Sequence, residues 1–289
     1  MNEVVTCFKI NDRTISIPVR AERFSPGSDE ILFEKTYSPV KDSQFKDKGY
    51  TIQPFLSFKK NTILREFIKN LVKNALENLQ INTAGFELSQ YHNYVNDEQH
   101  LQFVKEITAG TSGIGGFSTD ILPFDVSEID QRISEICNCP VTTIRNLFVD
   151  GKNYKINNFY LRVVRPQQFK DNNPPHRDVH LERNLGAVNL YLPFAGSNLN
   201  SSLPILPGSH FWSESQIVRS YGDTYVNSVK YTNPATISSV YGLNLITPNP
   251  SIEEVMVFTP YALHGGGYNF NSDVTRVSLE MRFWKKNNS

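Results

Sequence analysis

From about residue 157 onward the chain is a series of short β-rich runs cut by turns of Asn, Pro, Gly and Ser. Phe159–Val164, Ala187–Leu192, Glu254–Phe258 and Val274–Trp284 are rich in β-branched and aromatic residues, the types that fit a pleated, half-buried surface. Short strands cannot bury their apolar faces alone, so this half needs a second layer to pack against.

The first half supplies one. Ile63, Leu64, Phe67, Ile68, Leu71, Val72, Ala75, Leu76 and Leu79 recur at helical spacing, with Arg65, Glu66, Lys69, Lys73 and Glu77 between them. This predicts a core-facing helix over about 62–79, with Asn61 as its N-cap. Two more helices are expected near Glu98–Ile107 and Val126–Ile136, the latter with Asp125 or Ser127 at its start. Gly110–Gly116, between them, reads as a loop or a lid, because it lacks the Lys-Ser/Thr of a phosphate-binding loop. Residues 1–46 contain alternating stretches such as Thr14–Val19, read as strands or an arm laid on the main body. Helices first and antiparallel strands later indicate an α+β chain, for which a double-stranded β-helix (a jelly-roll, cupin-like core) buttressed by helices is the favoured architecture.

Charge narrows the partners. Lys plus Arg total 29 and Asp plus Glu total 29, with no basic stripe, which argues against nucleic acid and for a small-molecule substrate. No apolar run approaches 18 residues and the start has no charged-then-apolar signal pattern, so neither a membrane nor secretion is expected. Cys7, Cys137 and Cys139 are too few for a disulfide framework and lack a second thiol pair for zinc. A cytoplasmic location follows as the expectation, and oligomeric state stays open.

One constellation carries chemistry. In an extended His176-Arg177-Asp178, the first and third side chains share a face. His264 follows the Glu254–Phe258 run within Pro260-Tyr-Ala-Leu-His-Gly-Gly-Gly267, and Arg276-Val277-Ser278 opens the last strand. Two histidines and a carboxylate can cap one face of an octahedral ion and leave three positions open, an arrangement suited to ferrous iron. Along the last strand Arg276, Ser278, Glu280 and Arg282 share one face, while Val277, Leu279, Met281 and Phe283 share the other. The apolar face can pack on helices, leaving Arg276 and Ser278 to face inward, where a guanidinium and a hydroxyl bind a carboxylate.

The order His-x-Asp, distal His, Arg-x-Ser resembles the Fe(II)/2-oxoglutarate-dependent dioxygenases, and within them the phytanoyl-CoA dioxygenase-like group. Leu203-Pro-Ile-Leu-Pro-Gly-Ser-His210 is similar to that group's Pro-Gly-Ser-His segment, and His264 with Asn271-Ser272-Asp273 and Arg276 is similar to its closing hairpin. The likeness runs from about Gly49 to Trp284. This implies a dioxygenase jelly-roll domain over 47–289, with 1–46 an N-terminal extension packed on it. The resemblance further implies that His176, Asp178 and His264 hold Fe(II) and form the catalytic centre. It implies that Arg276 with Ser278 binds the distal carboxylate of 2-oxoglutarate, and that O2 is the co-reactant. Arg165, on the strand before the His-x-Asp turn, is a further candidate for contact with cosubstrate or substrate. Relatives that halogenate carry a small residue in place of the carboxylate, so Asp178 points to hydroxylation or another oxidation over halogenation.

Weaker candidates have plainer readings. His180 and His210 are expected to be structural, and His92 and His100 to lie at the surface. Arg177 should point away from the metal. Tyr160, Arg162, Asn189 and Tyr191 are possible pocket residues. The stretch between His210 and Glu253, with Tyr221, Tyr225, Tyr231 and Tyr241, is expected at the pocket mouth and favours a polar substrate. His264-Gly-Gly-Gly267 has no Gly-x-Ser-x-Gly partner, which argues against a hydrolase. The resulting expectation is an iron- and 2-oxoglutarate-dependent hydroxylase of a small polar metabolite or biosynthetic intermediate. The alternatives are a metal- or ligand-binding jelly-roll module without turnover, and a zinc enzyme using the same triad.

Overall fold

The computed structural model describes residues 1–108, 117–149, 151–156, 159–168, 171, 173–226, 229–265 and 267–286. The Gly110–Gly116 stretch lies outside them.

The architecture is mixed, with most strands in three sheets and the helices sharing a core with the largest of them. The largest sheet has six strands. Tyr50–Pro54, Glu254–Phe258, Ala187–Ala195, Arg276–Lys285 and Val141–Thr142 run in that order, and Phe159–Val164 also pairs with the last strand. All of its pairings are antiparallel. A five-stranded sheet is built on the hairpin of Asn2–Ile10 and Arg13–Ala21. It is extended by Asn244–Leu245 on one side and by Thr224–Val226 and Val229–Tyr231 on the other. A three-stranded sheet joins Thr236–Ser239, Ile217–Tyr221 and Arg23–Pro26. The first residues therefore pair with strands that lie more than 200 positions later.

The helix expected over 62–79 spans Phe58–Asn78, one turn longer at its start. Ser57 takes the N-cap position, and Asn61 is buried within the helix, its side chain donating to the Leu56 carbonyl at 3.1 Å. Leu64, Ile68, Val72 and Leu76 are fully buried on one stripe and share a core with Val277, Leu279, Met281 and Phe283 of the last strand. The strand's apolar face thus meets the helices, as its alternation predicts. Truncating Leu64 or Ile68 to Ala in such a setting costs about 2–5 kcal/mol. Among the described residues the other α-helices are Asp97–Thr108, Ser127–Cys137 and the single turn Leu32–Lys35, and the Asp125 side chain accepts from the Ser127 backbone N–H at 2.9 Å. A second core, containing Phe8, Ile17, Val19, Ile217, Ile237 and Leu263, fills the region of the smaller sheets.

The three thiols are free: Cys7 is exposed, Cys137 buried and Cys139 half-buried. Among the described residues, no helix is long and apolar enough to cross a membrane.

Candidate metal centre

The two histidines of the constellation are neighbours through the backbone. His176 and His264 form an isolated antiparallel bridge, each N–H donating to the other's carbonyl at 2.9 and 3.0 Å. This pairing joins the segment after Pro174-Pro175 to the segment after Glu254–Phe258, and it fixes both rings on one side. Asp178 does not continue the extended segment. It opens a 3-10 turn over Asp178–His180, its N–H donating to the Pro260 carbonyl at 3.0 Å. His176 and Asp178 still share a face, because Arg177 between them is extended and the turn begins only after the carboxylate has come round to the histidine side.

His176, Asp178 and His264 are all buried, and their ligand atoms lie within 4.8 Å of one another, a grouping that can hold a metal ion. His176 Nε2 is 3.4 Å from Asp178 Oδ1, and His264 Nε2 is 3.8 Å from Oδ2. Two ligands adjacent on one ion, each about 2.1 Å from it, adopt comparable separations after small adjustments. The other ring nitrogens are engaged: Nδ1 of His176 meets the Pro174 carbonyl at 2.7 Å, and Nδ1 of His264 meets that of Ala262 at 3.0 Å. A carbonyl only accepts, so each Nδ1 carries the proton and each Nε2 presents its lone pair to the centre. Burial, helped by His176, pushes His264 down to about 4 against the opposing pull of Asp178. The neutral, ligating form is favoured.

Asp178 is held by three side chains. Asn189 and Arg282 donate to Oδ2 at 2.9 and 2.8 Å, and Asn233 donates to Oδ1 at 2.9 Å. Burial alone would favour the acid, but the Arg282 guanidinium keeps the carboxyl well below its ordinary range. Arg282 is in turn held above its own ordinary value by Asp178, despite burial. Arg282 and Asn233 were not singled out from sequence; the inward face of the last strand was the available signal for Arg282.

Beside the triad is a small chamber of about 60 Å³ whose walls include His176, Asp178, His264, Arg276, Glu280 and Arg282. Arg276 is buried, and its Nη1 donates to the Ser201 carbonyl at 2.8 Å. Its Nε, and the hydroxyl of fully buried Ser278, which lies two positions along the same strand but does not itself line the chamber, have no hydrogen-bond partner among the described residues. Unsatisfied buried donors are costly, so a pair of them on one strand face suits a polar ligand that completes them. Two glycines keep this space open. Gly265 has a φ of +92°, and a Cβ there would sit 2.7 Å from the His176 ring; a Cβ on Gly267 would sit 2.5 Å from Arg276 Nη1.

Arg165 is placed elsewhere. It is buried, with Nε and Nη2 on Asp171 at 2.9 and 3.0 Å and Nη1 on Asp97 at 2.9 Å, and it is absent from the chamber wall. Its partner Asp171 does line the chamber. Arg162 lines it too, its Nε on Glu280 at 3.2 Å. The Tyr191 hydroxyl bonds the Ser197 hydroxyl at 2.9 Å, and Tyr191 is not among the residues lining the chamber.

The plainer readings divide. Arg177 turns away from the triad to Glu214 and to the carbonyls of Ser209 and Trp212, and His180 meets Glu214 at 2.8 Å. His210 closes a turn over Ser209–Phe211, its Nε2 on the Lys46 carbonyl at 2.7 Å. The surface expectation fails for His100, which is buried against Tyr91 and Asp171, because the Asp97–Thr108 helix turns that side inward. His92 is half-buried on Thr275. A wider cleft of about 260 Å³ adjoins the chamber through shared walls of Arg162, Asn173, His176, Asn233 and Arg282. Of the four tyrosines expected at its mouth, Tyr231 lines it, and Tyr221, Tyr225 and Tyr241 do not.

No family model matches the sequence, and no curated protein matches it. Among solved structures, AviO1 from Streptomyces viridochromogenes Tue57 is similar at 16% identity and a TM-score of 0.46, over 87% of this chain and 95% of that one. EctD from S. alaskensis is similar at 14% identity and 0.43, over 91% and 84%. It is also known with 2-oxoglutarate and 5-hydroxyectoine. SnoN, a non-haem α-ketoglutarate-dependent epimerase from nogalamycin biosynthesis, is similar at 10% identity and 0.42, over 84% and 80%. At these scores the likeness supports no argument of its own, and the functional reading rests on the residues of the site.

Proposed function

We propose that the protein is an Fe(II)- and 2-oxoglutarate-dependent dioxygenase that hydroxylates a small polar metabolite or biosynthetic intermediate. The observation that carries this reading is the joint presence, at one chamber, of a buried His-Asp-His group and a buried arginine whose Nε has no partner among the described residues. A metal-binding module has use for the triad but none for Arg276 and Ser278. In this reading the sheets form the two walls of a double-stranded β-helix, residues 47–289 are the catalytic domain, and 1–46 pack on it as an extension.

Each group then has a task. His176, Asp178 and His264 hold the iron on one face. Arg276 and Ser278 take the distal carboxylate of 2-oxoglutarate, a pairing that charge-assisted hydrogen bonds favour strongly in a water-poor site. Arg165 acts at one remove, fixing Asp171 in the chamber wall. Arg282, Asn189 and Asn233 orient the Asp178 carboxylate and keep it ionised, which a metal ligand needs. Iron with 2-oxoglutarate and O2 supplies the oxidising chemistry, and the chain supplies placement and exclusion of water. The carboxylate of Asp178 fills the place a halide would need, so oxidation without halogenation is the expected outcome.

The test is anaerobic titration of metal-free protein with ferrous iron and 2-oxoglutarate, following the weak visible charge-transfer band of the chelate. The expected result is a band that is lost in Arg276→Ala. Iron binding with no band at any 2-oxoglutarate concentration would make the metal-binding module the better account.

A further inference from the structure

Resting on that reading, we propose that the substrate is an anion, carrying a carboxylate or phosphate group that docks on Arg183 and Lys230 in the outer cleft.

The cleft's wall is one-sided in charge. Among the described residues it contains Arg162, Arg183, Lys230 and Arg282 and no aspartate or glutamate. Two of these cations are already answered from the chamber side, Arg162 by Glu280 and Arg282 by Asp178. Their rigidity comes partly from Tyr160, whose ring lies 4.8 Å from the Arg282 guanidinium carbon and 5.9 Å from that of Arg162. Lys230 is paired with Asp223 at 2.7 Å, but both side chains are more than half exposed, and such surface pairs contribute little. Lys230 can therefore exchange that partner for a ligand at small cost. Arg183 is half-buried and has no ion pair among the described residues.

Loading the site does not remove this excess. A ferrous ion and a doubly charged cosubstrate offset each other, and Asp178 and Arg282 remain balanced. The field in a cleft of this kind is focused by its low-dielectric walls and draws anions toward the chamber it opens on. Tyr231 adds no opposing charge, since burial, only partly countered by Arg162, pushes its phenol up to about 12. A cationic substrate would meet like charge along the whole wall. An anion seated on Arg183 and Lys230 leaves the rest of the molecule to reach the part of the wall shared with the chamber, which includes Asn233 and Arg282.

The test loads the protein anaerobically with ferrous iron and 2-oxoglutarate and titrates it calorimetrically with phenyl phosphate, benzoate and benzyl alcohol, three probes that share one ring. Both anions should bind more tightly than the alcohol, and more weakly as salt is raised. Arg183→Gln should weaken them roughly tenfold, the factor a lost charge-assisted hydrogen bond carries, and Lys230→Gln by a smaller factor of about two to five, as for an exposed pair. Preference for phenyl phosphate identifies a phosphorylated substrate, and preference for benzoate a carboxylate. Equal binding of all three probes, or unaltered anion binding in both variants, overturns the inference. The charge-transfer band separates the two failures. A band without anion binding sinks the anion cleft alone; anion binding without a band sinks the oxygenase reading and leaves the cleft standing.

Discussion

Two buried charged clusters flank the same five residues, His176 to His180, and they differ in what they leave open. On one side His176 and Asp178 join His264, with the two Nε2 atoms directed at a carboxylate and a chamber alongside. On the other, Arg177 and His180 close on Glu214, with Arg219 3.7 Å from the same carboxylate. Residue types and burial are alike. In the second cluster the carboxylate is consumed by protein groups: the His180 hydrogen bond, with the Arg177 and Arg219 charges, drives Glu214 down to about 2 against the effect of burial. In the first, backbone carbonyls engage Nδ1 of both imidazoles, so each Nε2 is left to face the centre. A buried His-Asp grouping is thus a candidate site only when its neighbours satisfy the wrong side of each ring.

The contrast can be broken most severely at Asp178. Asp178→Ala removes the only anionic ligand and strands Arg282, and ferrous iron binding should be abolished in an equilibrium titration. Retained affinity would remove the triad from the account. Next in size, Glu214→Gln leaves Arg177 buried without its counter-charge. Losing one partner of a buried pair costs roughly 3–5 kcal/mol, so urea unfolding should show a loss of that order. The same variant, where still folded, should bind iron, and an intact stability would mean the cluster is no brace.

Arg276→Ala sharpens the comparison from the ligand side. It should weaken 2-oxoglutarate by roughly 1.5–3 kcal/mol with little change in iron affinity, measured by titrating the charge-transfer band. Wild-type cosubstrate affinity would sink the assignment. The smallest effect concerns His210, near the Arg177 cluster. Burial pushes its pKa down from 6.5 to about 4. Between those values the unfolded chain takes up a proton that the folded one refuses, so stability falls as pH drops through the window. His210→Gln can still donate to the Lys46 carbonyl and should make the decline between pH 7 and 5 shallower. Parallel stability–pH curves for the two proteins would exclude this contribution.

What the sequence determined by itself was periodic or local. The alternation of Arg276 to Phe283 decided which side chains face the helices, since two-residue periodicity leaves each no choice once one face is buried. The stripe from Leu64 to Leu76 made the long helix legible, and its start was misjudged because Asn61, a good capping residue, serves instead as a buried side chain one turn inside. The order His176, Asp178, His264, Arg276 named the groups that meet.

Tertiary structure alone decided what surrounds them. Nothing in the local sequence tells that Arg282 and Asn233, 104 and 55 residues from Asp178, converge on its carboxylate. Nor does it tell that Arg165 is spent on Asp171 and Asp97, or that His100 faces inward. These are partner choices between long polar side chains brought together from separate strands and loops. A buried charge takes whichever counter-charge the fold brings within reach, and that is set by sheet register across hundreds of residues.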